Sequence, residues 1–182
     1  MPPWCSSATE PARRGAPRWL ALPLLAALAG CGDRTTPVAQ PTRSEVWAEV
    51  QAHAARYRLD PAFVFAVVAA ESNFDAAARN GEARGLMQIK PAAWRTVSDS
   101  PYEPRVWDWR ENLRVGIDYL AWCRHTLHAK GEFSYPALLA AFHYGLDHME
   151  RRGFDPAKVA VPDNAVYREL WRGNLQPVPP PS

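Results

Sequence analysis

The feature that most constrains the fold is an uninterrupted run of nine apolar residues, 62–70, that ends on the carboxylic acid Glu71. Asp60 and Pro61 precede this run, and a capping side chain followed by proline at the first helical position predicts a helix over residues 62–72. Because such a helix has no polar face, it belongs in the middle of a hydrophobic core. The chain is therefore expected to fold as a globular domain around this segment.

The remaining periodic segments also have helical spacing, with apolar residues three and four positions apart. These segments are a first helix that Ser44 can cap, a short helix from Pro91 toward Val97, a long helix after Asp108, a helix from Pro136 to Gly145 and a last helix over about residues 163–172. No run shows sustained period-2 alternation. The sequence therefore predicts an all-α single domain with at most a minor strand pair.

Composition divides the 182 residues into four segments. Residues 1–30 have the pattern of an export signal, in which a basic stretch precedes twelve apolar residues. As a helix, twelve residues span about 18 Å, which is too short to cross a bilayer. Residues 31–42 are predicted to be a tether, residues 43–175 the folded domain and residues 176–182 a proline-rich tail.

The sequence Leu-Ala-Gly-Cys at residues 28–31 resembles a bacterial lipobox, the pattern after which the cysteine is acylated. Cys31 is therefore predicted to carry lipid and to hold the protein at a membrane. Gly32 in place of aspartate resembles lipoproteins sent to the periplasmic side of the outer membrane in bacteria with two membranes. The expected location is the cell envelope, and the alternative is an ordinary secretory signal that happens to end in cysteine.

The net charge of +2 belongs to residues 1–30, where three arginines accompany one glutamate. The rest of the chain balances 18 basic residues with 18 acidic ones, which argues against nucleic acid as a partner. Cys123 is the one thiol after Cys31 and is predicted to be a small buried residue. His125 and His128 share a helix face, but without a further ligand motif they predict no metal site.

Glu71 is the candidate for chemistry because it follows the most hydrophobic segment of the chain. Desolvation at the edge of a core favours the protonated form of a carboxyl group, and that form can donate a proton. The alternative is a helix-end glutamate that reaches solvent or pairs with Arg79 or Arg84. From this segment alone the alternative is the commoner situation, since glutamate is almost never buried without a partner.

The residues that follow carry a family resemblance. Glu-Ser at 71–72 and Gly-Leu-Met-Gln at 85–88 closely resemble the lytic transglycosylase domain of the lysozyme-like superfamily, and the likeness covers about residues 60–172. The third motif of that family, Ala-Tyr-Asn, is replaced by Ala-Phe-His at 141–143. Phe142 lacks the tyrosine hydroxyl, and His143 adds a group whose charge changes near neutral pH.

The resemblance implies a lysozyme-like fold and a peptidoglycan lytic transglycosylase that acts on glycan strands without a cofactor. Glu71 would protonate the bond between N-acetylmuramic acid and N-acetylglucosamine and then act as base toward the muramoyl 6-hydroxyl, giving a 1,6-anhydro end. An internal nucleophile needs no second carboxylate, and Asp75 and Glu82 are weak candidates for one. The residues expected to contact substrate are Ser72, Met87, Gln88, Phe142, His143 and Tyr167.

Two other functions remain open on the sequence alone. A hydrolytic muramidase on the same fold would cleave the same bond with water and leave reducing ends. A non-catalytic peptidoglycan-binding lipoprotein is suggested by the altered Ala-Phe-His motif.

Overall fold

The structure, a computed structural model, describes residues 37–181. The predicted export signal, the acylation site Cys31 and the first part of the predicted tether lie outside the described residues. Eight α-helices and one pair of short antiparallel strands form the described part of the chain, which confirms the predicted all-α class with a minor strand pair.

In chain order, the elements are α1 (Arg43–Ala54), α2 (Pro61–Ser72), β1 (Arg79–Asn80), β2 (Ala83–Arg84), α3 (Pro91–Val97), α4 (Tyr102–Arg105), α5 (Trp109–Lys130), α6 (Tyr135–Tyr144), α7 (Leu146–Glu150) and α8 (Ala165–Trp171). Short 3-10 turns lie at Ala55–Tyr57 and Pro156–Lys158. The short helices α4 and α7 have too few residues to show a period in the sequence, and neither was predicted.

Helix α2 forms the centre of the core, as its sequence predicts. All nine residues of the apolar run 62–70 are buried. The helix packs against α1 and α8, and the long helix α5 packs against α1, α3 and α6. The carboxyl end of α2 therefore emerges from the most apolar part of the molecule.

The helix starts follow the capping side chains that the sequence offers, with one exception. Asp60 accepts a hydrogen bond at the start of α2, and Asp108 does so at the start of α5. The prediction that Ser44 caps α1 was wrong, because Thr42 holds that position. Thr42 and Glu45 form a reciprocal capping box, which satisfies two N–H groups at once and outcompetes a single serine.

Helix α5 is amphipathic, with 22 residues. Its buried face includes Leu113, Ile117 and Leu120, and Cys123 is fully buried on it as expected. Among residues 37–181, no helix is both long enough and apolar enough to cross a membrane.

The segments on either side of the helical domain fold back onto it within the described range. Gln40, in the predicted tether, accepts a hydrogen bond from the Ala76 N–H at 3.0 Å. In the proline-rich tail, Val178 packs against the core and the Pro179 carbonyl accepts a hydrogen bond from Arg43 at 3.3 Å. The tail adds neither helix nor strand, because proline lacks the N–H that both require.

Candidate active site

Glu71 lies in the last turn of α2, immediately before the helix ends at Ser72. The helix ends there because Asn73 adopts a left-handed conformation, with φ of 52°, and Phe74 follows at 65°. Asparagine tolerates such angles at a helix end, whereas for phenylalanine they cost energy, as is common where a structure holds a functional group in place. The Glu71 side chain is 10% exposed, so its carboxyl group lies at the boundary between the core and solvent.

Tyr167 holds one oxygen of this carboxyl group. Its hydroxyl donates a hydrogen bond to Glu71 Oε1, and its side chain is only 2% exposed. Burial and the nearby negative charge of Glu71 raise the pKa of Tyr167 well above its usual value of 10. The phenol therefore stays protonated at any pH near neutrality and remains a hydrogen-bond donor to Glu71.

Asn164 places Tyr167 next to Glu71. Its side-chain oxygen caps α8 by accepting from the N–H groups of Val166 and Tyr167 at 2.9 and 3.1 Å. Its amide nitrogen donates to the Ala70 carbonyl at 3.3 Å, one residue before Glu71. One side chain thus joins the start of α8 to the end of α2.

His143 is the third group at the carboxyl. Its Nδ1 lies 3.8 Å from Glu71 Oε1, and its side chain is 33% exposed. The ring packs edge-on against Tyr167 and Tyr144, with centroid distances of 5.3 and 4.7 Å. When the imidazole is protonated, this geometry forms an ion pair with Glu71.

The second oxygen of the carboxyl group, Glu71 Oε2, accepts no hydrogen bond from residues 37–181. It is not among the buried unpartnered side-chain atoms of that range, where the single case is His53 Nδ1. Oε2 therefore retains solvent access. The alternative suggested by the sequence, a pair with Arg79 or Arg84, is wrong: Arg79 lies over the Trp107 ring and Arg84 donates to the Ala83 carbonyl at 2.8 Å.

The carboxyl group opens into a cavity of about 830 Å³. This is within the range of about 300–1,000 Å³ that is typical of ligand sites. The ends of α2 and α6 with the start of α8 form one wall, and the β1–β2 hairpin with the loop after it forms the other. The polar and aromatic residues that line the cavity are Glu71, Ser72, Asn73, Arg79, Asn80, Glu82, Gln88, Lys90, Tyr119, Phe142, His143, Tyr144 and Asn164.

The predicted substrate-contacting residues divide into three groups. Ser72, Gln88, Phe142 and His143 line the cavity. Tyr167 does not line it but contacts Glu71 from within the core. Met87 is fully buried and does not line the cavity.

Met87 is buried because it packs against a glycine on α5. A Cβ atom at Gly116 would overlap the Met87 side chain, so the close approach of loop and helix requires glycine there. The Gly-Leu-Met-Gln loop is thereby pressed onto α5, and its next residue, Gln88, faces the cavity.

Gln88 itself stabilises the loop. Its backbone is left-handed, with φ of 47°. Its amide nitrogen donates to the carbonyls of Ala78 and Gly85 at 3.1 and 2.9 Å. The side-chain oxygen accepts no hydrogen bond from residues 37–181, and Gln88 lines the cavity.

Asn112 is a structural residue of the site that the sequence did not single out. It is fully buried, accepts from the Met87 N–H at 2.9 Å and donates to the Arg84 and Val106 carbonyls at 2.9 and 3.2 Å. The sequence feature that could have found it is a single amide side chain next to the apolar face of α5, four residues before Gly116. Asn164 was not singled out either, and the signal that could have found it is a capping residue type three positions before Tyr167.

The other carboxylates near Glu71 differ from it in their surroundings. Asp75 lies off the cavity and accepts from the Ala77 N–H at 2.8 Å and from Gln40 at 3.0 Å. Glu82 lines the cavity but is exposed at the hairpin turn. Across residues 37–181, no three His, Cys, Asp or Glu side chains gather where they could hold a metal ion.

Comparison with known proteins identifies the architecture around this site. The transglycosylase SLT domain matches residues 49–157, well over half of the chain. The chain belongs to the transglycosylase SLT family. The resemblance of the Glu-Ser and Gly-Leu-Met-Gln motifs is thereby confirmed.

A solved structure shares the fold. The chain is similar to an inactive mutant of the lytic transglycosylase Slt from Pseudomonas aeruginosa, with a TM-score of 0.51 and 21% sequence identity. The match covers 71% of this chain and 22% of that one. This chain therefore spans about a fifth of the length of the solved protein. The predicted lysozyme-like fold is confirmed.

Proposed function

We propose that this SLT-family protein is a peptidoglycan lytic transglycosylase, which cleaves the β-1,4 bond between N-acetylmuramic acid and N-acetylglucosamine and leaves 1,6-anhydro ends. The observation that carries the proposal is the environment of Glu71: Oε1 is fixed by Tyr167, and Oε2 has solvent access at a large cavity. One oriented carboxyl group is the minimum that this reaction requires.

In the first step, neutral Glu71 donates its proton to the glycosidic oxygen, and the bond from that oxygen to the muramoyl anomeric carbon breaks. In the second step, the resulting carboxylate accepts the proton of the muramoyl 6-hydroxyl while that oxygen bonds to the anomeric carbon. Glu71 ends protonated again, and no water is consumed. Because the nucleophile belongs to the substrate, its effective concentration is high.

The surroundings of the other carboxylates support this route over hydrolysis. A glycosidase of the usual kind needs a second carboxylate to act as nucleophile or to activate water. Asp75 is engaged in a turn away from the cavity, and Glu82 is solvated on the hairpin. Asp75 is held by Gln40 but lies off the cavity, and Glu82 lies at the cavity without a side chain that holds it, whereas Glu71 is both at the cavity and held by Tyr167.

The residues that line the cavity are proposed to bind the glycan. Ser72 and the free oxygen of Gln88 are suited to hydrogen bonds with N-acetyl groups, and Phe142 supplies an apolar wall. His143 can contact both Glu71 and the sugar. Met87 is buried and is proposed to act indirectly, because it holds the loop that carries Gln88 against α5.

The test uses the products of peptidoglycan digestion. Mass spectrometry should find anhydro-muramyl ends, and we expect Glu71→Gln to lower kcat by about 10²- to 10⁴-fold, the usual contribution of a general acid. Asp75→Asn is the matched control, the same carboxyl-to-amide change at an exposed residue off the cavity, and should stay within about twofold of wild type.

Each contrary result points to a particular alternative. New reducing ends would identify a hydrolytic muramidase. Glycan binding without cleavage at any pH would identify a binding protein, and a folded Glu71→Gln variant with full activity would remove Glu71 from its assigned role.

We also propose that the protein is exported and held in the cell envelope by acylation of Cys31, on the periplasmic side of the outer membrane where the cell has two membranes. The support is the sequence Leu-Ala-Gly-Cys at the end of a short apolar segment. Metabolic labelling with a clickable fatty acid should mark the protein, and Cys31→Ala should abolish the label. Cys5→Ala is the control and should retain it.

A further inference from the structure

The wall of the cavity that contains the β1–β2 hairpin carries a surplus of positive charge. Residues 78–90, which include both strands and the loop after them, contain three basic side chains, Arg79, Arg84 and Lys90, and one acidic side chain, Glu82. The chain from residue 31 onward is neutral as a whole. Within the described residues, none of these three basic side chains forms an ion pair with a carboxylate.

Two of the basic residues face each other across the hairpin. Arg79 and Arg84 are register partners of β1 and β2, so their side chains lie on the same face of the strand pair. Like charges in opposite positions destabilise such a pair. The Trp107 ring offsets part of that cost, because its centroid lies 4.0 Å from Arg79 Cζ and 5.9 Å from Arg84 Cζ. An anion from outside the chain would relieve the repulsion that remains.

The two arginines differ in their hydrogen bonds. Arg84 Nη1 donates to the Ala83 carbonyl at 2.8 Å, which ties this guanidinium to its own strand. The Arg79 guanidinium is restrained by the Trp107 ring but, within residues 37–181, has no hydrogen-bond acceptor. A planar group with free N–H donors matches the two oxygens of a carboxylate, with which it can form two parallel hydrogen bonds.

Lys90 adds a second cation at the same cavity. It is the residue before α3, where its side chain makes no capping hydrogen bond, and it is exposed. Lys90 and Arg79 both line the cavity, and the carboxyl groups that line it in the described part of the chain are those of Glu71 and Glu82. Charge complementarity therefore favours a negatively charged group against the hairpin wall.

We propose that Arg79, restrained by Trp107, binds a carboxylate of the peptide that peptidoglycan strands carry on N-acetylmuramic acid. The inference rests on the proposed function for the identity of the strand. In such a strand the sugar rings are neutral and the lactyl carboxyl group is joined to the peptide as an amide, so the peptide supplies the carboxylates. Since Arg79 and Glu71 line one cavity, a strand placed for cleavage at Glu71 can bring its peptide to the hairpin. Arg79 is then a specificity residue, which selects strands whose peptides are ionised.

The test compares two synthetic glycan oligomers that differ in one respect. Both carry the peptide on N-acetylmuramic acid, but in one the peptide carboxylates are free and in the other they are converted to amides. With the full-length protein, kcat/KM should be about 5- to 10-fold higher for the ionised oligomer. Arg79→Gln should remove this difference by lowering the value for the ionised oligomer alone. Arg79→Lys should retain part of it, because lysine keeps the charge but not the planar fork.

Arg95→Gln is the matched control. Arg95 is an exposed arginine on α3 that does not line the cavity, and its substitution removes the same charge from the chain. This variant should keep the full preference for the ionised oligomer. An equal loss of preference in Arg95→Gln would show a general attraction between charges and overturn the assignment to Arg79.

Two other results would also overturn the proposal. Wild-type protein that cleaves both oligomers equally well, or an Arg79→Gln variant that loses activity equally on both, would show that Arg79 does not recognise the peptide carboxylate, while cleavage at Glu71 would stand. Calorimetry separates the opposite case. A preference for the ionised oligomer in binding, abolished by Arg79→Gln in a protein that does not cleave, would support the carboxylate site and contradict the proposed function.

Discussion

The two walls of the cavity at Glu71 are held together in different ways. The helical wall carries Glu71, and side chains at the helix ends join it. Tyr167 donates to the Glu71 carboxyl group, and Asn164 donates to the Ala70 carbonyl. The loop wall, formed by the hairpin and residues 85–88, is held by side chains that bond to backbone. Asn112, Gln88 and Tyr102 together supply these bonds.

The difference follows from the backbone of each wall. A helix satisfies most of its own N–H and C=O groups, so the side chains at its ends are free to position one another. A hairpin of two-residue strands leaves many backbone groups without partners, and buried ones must be satisfied from elsewhere. Substitutions in the loop wall should therefore lower the free energy of unfolding, and substitutions in the helical wall should lower kcat.

The largest expected effect is on the loop wall. Asn112→Ala removes three hydrogen bonds and leaves the Met87 N–H and the Val106 carbonyl without these partners inside the protein, while the Arg84 carbonyl keeps its bond from the Ile89 N–H. We expect the free energy of unfolding to fall by about 3 kcal/mol. Thermal denaturation should show a decrease in Tm of about 10 °C.

Asn80→Ala provides the control for this prediction. Asn80 lies on the same wall but is exposed, and among residues 37–181 its side chain has no hydrogen-bond partner. Its substitution should change Tm by less than about 2 °C. Equal shifts for the two asparagines would show that the loop wall does not depend on the buried amide.

The next effect is on the helical wall, where chemistry should change while stability does not. Tyr167→Phe keeps the buried ring and removes the hydroxyl that fixes Glu71 Oε1. With its orientation lost, Glu71 should give a kcat about tenfold lower, which corresponds to roughly 1.4 kcal/mol. The measurement is initial rate against substrate concentration, with Tm recorded in parallel.

Tyr57→Phe is the matched change away from the cavity. The Tyr57 hydroxyl also donates to a carboxylate, Asp118, at 2.6 Å, so the lost interaction is chemically similar. This variant should retain wild-type kcat. A large Tm decrease for Tyr167→Phe with unchanged kcat would reverse the proposed division between the two walls.

The sequence predicted the helical wall better than the loop wall. The apolar run before Glu71 identifies both a core helix and the position where its carboxyl group must emerge, because that information is local. The last helix was also predicted, over about residues 163–172, and it carries Tyr167. What the pattern could not give was the bond from Asn164 to Ala70, which joins residues 94 positions apart.

The loop wall depends on contacts that no local pattern encodes. Met87 belongs to a motif shared with the family, which suggested contact with substrate, but its burial depends on the absence of a side chain at Gly116. Asn112 is one polar residue in an amphipathic helix, and only the folded loop shows which backbone groups it satisfies. Sequence periodicity reports which face of a helix is buried, and it does not report what that face meets.

The smallest expected effect concerns His143, which also belongs to the helical wall. Its Nδ1 lies 3.8 Å from Glu71 Oε1, and its ring packs edge-on against Tyr167. His143→Asn keeps one donor and one acceptor but removes the ring. The variant should stay within about threefold of wild type in kcat, and KM should change more than kcat because the side chain lines the cavity. A kcat as low as that of Tyr167→Phe with an unchanged KM would show that His143 positions Glu71 and does not bind the glycan.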